Sequence, residues 1–376
     1  MRCSRSCGVA LLVAAFAASA CGHSDPFVTG SNLQTVPLVS GTDVRLTYNS
    51  DQDYWPTWTE DSTGVLYAYV AAGRADHDRC VGLLSPGGGT RIWEMCDDQA
   101  GHSDSTDSFT GFALGRDGRL LYQEVSARIG TEVPTTKALW LADSARPFTR
   151  RRLITFPISV AGTTVDWLAD LTWTGPTDFI GLAEEYVPVP HCRSCALDDS
   201  AFIGKFVVRG HVAGAGATLT PISGTEGANV FALAEGGTAI VFARRGSNAL
   251  QGVAATGGTA VLLATVGTQN TIVGISCRDV TCIVATDQLV LLPNPSLDVF
   301  PSLNAPAGSL YRVNLSTGAA VLRRSNPGTG NGAMYASPLI LPNGTDVIVQ
   351  SGGIAGRLHT ASSALGDLYL YKGILP

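Results

Sequence analysis

The chain has 376 residues, of which 15% are charged and 45% hydrophobic, with 43 glycines and a net charge of −6. An acidic chain without basic stripes is poorly suited to a phosphate backbone, so nucleic acid is not an expected partner. Long amphipathic helix patterns are missing. Short runs rich in Val, Ile, Leu, Thr and aromatics alternate with Gly, Asn, Asp and Pro, which is the composition of an all-β protein.

The first segment is a targeting signal. Arg2 and Arg5 precede an apolar run from Val9 to Ala18, and small residues then lead to Cys21. The run is too short to span a bilayer and has the layout of a secretory signal. Ala18-Ser-Ala-Cys21 resembles a bacterial lipobox, which implies lipid attachment at Cys21 as the first mature residue. The competing reading is an ordinary cleaved signal with a cysteine nearby. Gly22 follows, where the enterobacterial pattern implies export to the outer membrane. No later apolar run has the length of a membrane span, so acyl chains are the only expected membrane attachment. Residues 22–36 are polar and contain Gly, Pro and Ser, as a tether does. The expected organisation is a signal peptide over 1–20, an anchored tether over 21–36, and one folded domain over 37–376.

Nine cysteines are present. Cys3 and Cys7 leave with the signal. Cys80, Cys96, Cys192, Cys195, Cys277 and Cys282 remain in a compartment that permits disulfides. Their spacing suggests 80–96, 192–195 and 277–282, although sequence leaves connectivity open.

The folded part is built from repeats. Six strand–turn–strand units follow one another at 56–69, 111–124, 170–184, 229–243, 271–286 and 335–350. Most turns carry tight-hairpin chemistry: Asp117-Gly118, Gly175-Pro176, Gly236-Gly237 and Asn343-Gly344. The fifth turn lacks Gly, and Cys277 and Cys282 flank it instead. Two further strand-like pieces follow each unit except the last, which has one, GDLYLYKGI. The spare strand DVRLTYN lies ahead of the first unit. This predicts a six-bladed β-propeller of four-stranded antiparallel blades, the last closed by the N-terminal strand, so that no long sheet edge is left open. Trp58, Leu114 and Trp173 are expected to wedge between blades. The alternative role for the tryptophans is a ligand platform.

Asp53-x-x-Pro56-x-Trp58-x-x-Asp61 resembles the repeat of TolB-type β-propellers, and Pro338-x-Ile340-x-x-Asn343-Gly344 is a second match. Trp173, Asp117-Gly118 and the link at 257–258 agree in part. The resemblance implies the propeller fold and leaves function open. The amino-terminal α/β domain of TolB has no counterpart in residues 22–42.

Chemistry-bearing residues are few. His191-Cys192-Arg-Ser-Cys195 has the thiol spacing of a zinc or redox site, but it lacks a second pair or a βαβ setting and suits a disulfide-pinned loop better. Asp76, His77, Asp78, Asp97, Asp98, His102, Asp104 and Asp107 lie around the 80–96 segment. They form either solvated loops or a rim that binds a hard cation such as Ca²⁺. Glu184, Glu185, Asp198 and Asp199 flank the insertion of blade three and are the candidates for acid–base chemistry. Arg150-Arg151-Arg152 is the one basic run and suits a solvated loop or strand edge. No Gly-x-Ser-x-Gly elbow, P-loop or dinucleotide fingerprint occurs. No catalytic residue, metal site or cofactor is therefore assigned. The expected function is a non-catalytic module, monomeric and anchored at the cell envelope, that binds a protein or glycan. The alternative is a propeller enzyme, a glycan lyase or hydrolase using carboxylates.

Overall fold

The computed structural model describes residues 43–47, 53–70, 79–88, 91–96, 105–128, 134–143, 150–188, 200–267, 271–287, 290–291, 298–299, 308–325, 335–351 and 367–376. Strand β1 (Asp43–Arg45) precedes blade one, which is β2 (Asp53–Trp58), β3 (Val65–Val70), β4 (Arg79–Leu84) and β5 (Trp93–Met95). Blade two is β6 (Ser105–Leu114), β7 (Arg119–Arg128), β8 (Pro134–Asp143) and β9 (Arg150–Phe156). A small hairpin, β10 (Ile158–Val160) with β11 (Thr163–Val165), leads to blade three: β12 (Trp167–Trp173), β13 (Asp178–Pro188), β14 (Ser200–Ala213) and β15 (Gly216–Pro221). Blade four is β16 (Ala228–Ala234), β17 (Ala239–Arg244), β18 (Ala249–Ala254) and β19 (Val261–Thr265). Blade five starts with β20 (Thr271–Arg278) and β21 (Thr281–Asp287). The two-residue strands β22 (Val290–Leu291) and β23 (Asp298–Val299) intervene before its outer pair, β24 (Ser309–Asn314) and β25 (Ala320–Ser325). Blade six is β26 (Tyr335–Ile340), β27 (Val347–Ser351) and β28 (Asp367–Tyr371), completed by β1.

The predicted closure is present: β1 pairs antiparallel with β28, Val44 opposite Leu370, as the outer strand of blade six. All six blades are four-stranded meanders running from the inner strand outward. Two local features differ from the sequence reading. The β10–β11 hairpin was not foreseen, because its strands are too short to show an alternation. Strand β6 begins at Ser105, so Asp107, expected in a polar loop, lies on a strand with its backbone opposite Ser126.

Turn chemistry sets the hairpins locally. Gly118 and Gly344 sit at φ of 80° and 69°, a region that glycine enters without strain. In blade five Asp279 takes φ 52° in place of a glycine. Cys277 and Cys282 stand directly opposite each other across that turn and are bonded.

The core is divided among the six blade-to-blade interfaces. Each hydrophobic cluster draws its residues from two successive blades, and the cluster shared by blades six and one completes the ring. Strand periodicity explains this division. Val65, Tyr67 and Tyr69 of β3 pack toward blade six, while Leu66 and Ala68 pack toward blade two. Ile240 and Phe242 of β17 face blade three, and Val241 and Ala243 face blade five. Second strands are thus buried on both faces, as their near-continuous apolar sequences require.

Candidate functional site

The meander places corresponding strand ends together. Each inner strand starts, each second strand ends, each third strand starts and each fourth strand ends at one end of the ring. The second-to-third connections, including 71–78, 189–199, 288–308 and 352–366, therefore join the blades at that end. So do the links from each blade to the next. Tight hairpins occupy the opposite end.

A layer of buried polar side chains lies toward the connection end. It holds Asp53 of blade one, Gln123 and Glu124 of blade two, Glu184 of blade three, Thr271 and Thr286 of blade five, and Gln350 of blade six. Two of these residues clasp neighbouring blades. Gln123 Oε1 accepts the Leu168 N–H at 2.6 Å, and Gln350 Oε1 accepts the Trp55 N–H at 3.3 Å. Glu124 pairs with Arg150 at 3.0 Å. The Gln123 amide Nε2 is buried without a hydrogen-bond partner among the described residues.

Every inner strand carries a bulge against its second strand. The extra residues include Trp55, Gly111, Asp170, Asn229, Val273 and Ser337, one from each blade. Trp55, Gly111, Asp170 and Ser337 have φ between 44° and 54°. All six are at least partly accessible, whereas the residue that follows each is buried. A bulge turns one residue out of an otherwise packed strand. Two of these residues face the blade interfaces: Trp55 packs against the core shared by blades one and two, and Val273 against that of blades five and six.

The tryptophans of the repeat are structural. Trp173 is buried between blades two and three, with its indole N–H donating to Ala113 O at 3.0 Å. Trp58 does the same toward blade six, donating to Ile340 O at 2.8 Å. Leu114 packs between blades one and two. Burying such a side chain contributes on the order of 2–3 kcal/mol.

Of the candidate site residues, Cys80 is bonded to Cys96 and Cys277 to Cys282. Cys21, Cys192 and Cys195 lie outside the described residues, as do His191, Asp76, His77, Asp78, Asp97, Asp98, His102, Asp104, Asp198 and Asp199. No group of three His, Cys, Asp or Glu side chains suited to a metal occurs among the described residues. Glu184 and Glu185 are not brought together. They are successive residues of β13, Glu184 is 1% exposed, and Glu185 pairs with Lys205 at 2.5 Å. Arg150, Arg151 and Arg152 are exposed on the outer strand β9, the strand edge that the sequence suggested.

A polar network missed by the sequence reading adjoins the Cys80–Cys96 bridge. Tyr69 donates to Glu94 at 2.7 Å, and Arg91 donates to Tyr67 at 3.0 Å and pairs with Glu94 at 2.6 Å. Gly82, between them in register, leaves room for the Tyr67 ring and the Arg91 stem. Burial first, then the Asp53 charge at Tyr67 and the Glu94 hydrogen bond at Tyr69, pushes both phenols well above their ordinary value. Both phenols are thereby held in the protonated form. The structure also corrects the basic inventory: Arg312, Arg323 and Arg324 of β24 and β25 form a second arginine group. Arg323 and Arg324 are consecutive in β25, and strand pairing brings Arg312 of β24 to their neighbourhood.

No protein-family model matches the chain, and no curated protein matches it. Solved structures do resemble it in fold. A gluconolactonase from Xanthomonas campestris is 14% identical, with 93% of this chain and 95% of that chain covered and a TM-score of 0.50. Trypanosoma rangeli sialidase is 11% identical, with 86% and 55% covered and a TM-score of 0.50. TolB from Acinetobacter baumannii is 10% identical, with 89% and 66% covered and a TM-score of 0.44. At such identities the first two likenesses concern architecture alone, and the architecture they share with this chain is the β-propeller.

Proposed function

We propose that this chain is an exported lipoprotein, anchored through Cys21 at the cell envelope, whose TolB-like propeller binds a protein or glycan without catalysing a reaction. The observation that carries the proposal is the asymmetry of the ring. The inner-to-second hairpins occupy one end, while the strand ends from which the longer connections leave and the buried polar layer lie toward the other. Connections held on a rigid scaffold are the usual place for recognition. The signal-like N-terminus and its cysteine supply the anchor. The separation of Glu184 from Glu185, each with its own surroundings, disfavours the lyase or hydrolase alternative at that place.

The test is co-purification of the full chain from native membranes after mild crosslinking, with Cys21→Ser as the control. A stoichiometric envelope partner that survives washing and is lost in the control is expected. A chain that stays in the membrane when Cys21 is replaced would overturn the anchor. Turnover of a glycan library, abolished by one carboxylate substitution, would overturn the non-catalytic reading.

A further inference from the structure

The outer strand of each blade is an open sheet edge, and native sheets blunt such edges by short length, charge or proline. Five of the six outer strands do so. Strands β1 and β5 have three residues each. Strand β9 carries the exposed Arg150, Arg151 and Arg152, and β25 carries Arg323 and Arg324. Strand β15 ends in Pro221. Strand β19 of blade four, Val261-Leu-Leu-Ala-Thr265, has five residues, no charge and no proline. A bulge interrupts β9, β19 and β25 alike, so it does not set β19 apart.

The same place is the apolar part of the surface. Among the described residues, six large hydrophobic side chains are exposed, and five of them belong to blades four and five: Val261 (55%), Leu262 (66%), Val280, Val321 and Leu322. Val261 and Leu262 open β19, and Val321 and Leu322 stand near the start of β25, so both pairs lie toward the hairpin end of the rim. The blades meet there. A Cβ added to Gly318, in the turn before β25, would stand 2.8 Å from the Leu263 carbonyl oxygen. Leu322 is paired with Tyr311, which packs on the core between blades four and five. Val261 is paired with Gly252, whose open side is filled by Leu263 from that same core. Val261 and Leu322 therefore line the outer mouth of one cleft, with Leu262 and Val321 on its flanks. Exposed apolar side chains gathered in this way mark an interaction surface.

We propose that the rim of blades four and five binds a second copy of this chain, with β19 antiparallel to β19 of that copy. Charge selects this occupant. A two-fold contact sets a patch against itself, so an edge meets its own copy without repulsion only where it is uncharged. Strand β9 set against itself would oppose three arginines to three, whereas β19 brings no charge to the contact. A two-fold axis across the cleft also covers Val321 and Leu322 together with Val261 and Leu262. The patch is small against the roughly 800 Å² per partner of a standard interface, so the dimer is a weak one. It takes the place of the monomer that the sequence suggested, and it does not depend on the function proposed above.

The test uses the full chain in native membranes. Leu262→Cys, after mild oxidation and non-reducing electrophoresis, should give a disulfide-linked homodimer, because a residue near a two-fold axis meets its own counterpart. Ile92→Cys, comparably exposed at 64% on the rim of blade one, should give none. The purified full chain carrying Cys21→Ser should sediment as a dimer at high concentration and as a monomer on dilution. Adding Leu262→Lys should leave a monomer throughout, with unchanged Tm because the side chain is exposed. A Leu262→Cys chain that stays single, or that links to a different protein, overturns the second copy as occupant. Equal crosslinking of Ile92→Cys, or a dimer that survives Leu262→Lys, places the contact elsewhere and overturns the site. If Leu262→Lys does not fold, Val261→Lys decides, and an unweakened dimer overturns the site.

Discussion

Replacing Gly204 with alanine tests whether the ring is set by backbone contact between blades. Gly204 lies on β14 of blade three, against the start of β16, the inner strand of blade four. A Cβ there would stand 2.2 Å from the Ala228 carbonyl oxygen and 2.8 Å from the Asn229 Cα. Real Cβ atoms stay beyond 3.0 Å, so β16 must shift by most of an ångström. It is not free to do so, because the Gly227 N–H is tied to Lys205 O at 2.6 Å, one residue along from the insertion. Overpacking against side chains costs about 1–3 kcal/mol, and an obstacle made of backbone belongs at the upper end, about 3 kcal/mol. In a domain of this size that lowers Tm by about 4 °C. The assay is chemical and thermal unfolding beside Gly214→Ala. Gly214 has φ 54° and nothing within 4 Å of the added carbon, so it carries only left-handed strain, about 1 kcal/mol. If Gly204→Ala costs no more than Gly214→Ala, the blades adjust to one another more freely than this packing allows.

The two bridges should differ in weight. Cys80–Cys96 closes a longer loop than Cys277–Cys282, sequence separations of 16 and 5. Chain entropy gives them about 3 and about 2 kcal/mol respectively. Alanine pairs, compared by urea unfolding, should show that order, and the reverse order would refute the entropic account. Acid sensitivity should be traceable to Asp346. Burial opposes its ionised form, but the Gly373 N–H, Asn343, Thr345 and Lys372 outweigh burial and hold its carboxyl below the ordinary value. The native form therefore binds protons more weakly than the unfolded chain. Its contribution is present above the ordinary carboxylate value of about 3.9 and is lost as pH falls through the lowered native value. Asp346→Asn should be less stable than wild type at neutral pH, with the gap narrowing in acid; a gap constant with pH would refute this.

The blade count and the closure were legible because their signals are local. A hairpin needs an alternation and a turn residue, and both lie within about fifteen residues of sequence. The motif Asp53-x-x-Pro56-x-Trp58 was also legible. Pro56 follows the bulged Trp55, and Pro338 follows the bulged Ser337, where a missing N–H costs no ladder bond. The site was much less legible. Gln123 and Gln350 look like solvent-facing polar residues of alternating strands, yet they are buried and grip the adjacent blade. Their role depends on a neighbour whose distance in sequence carries no signal. The Arg312, Arg323 and Arg324 group depends further on register, because one bulge in β25 turns Arg323 and Arg324 to the same face.

The two ends of the ring are held in different ways. At the hairpin end, Trp58 and Trp173 close the inner strands, and each donates its indole N–H to a carbonyl of the preceding inner strand. Those bonds fix blade spacing where the connections are short. At the other end, extra length costs little, because loop-closure entropy grows only slowly with residues added. A chain built this way can lengthen 189–199, 288–308 or 352–366 without loosening the ring.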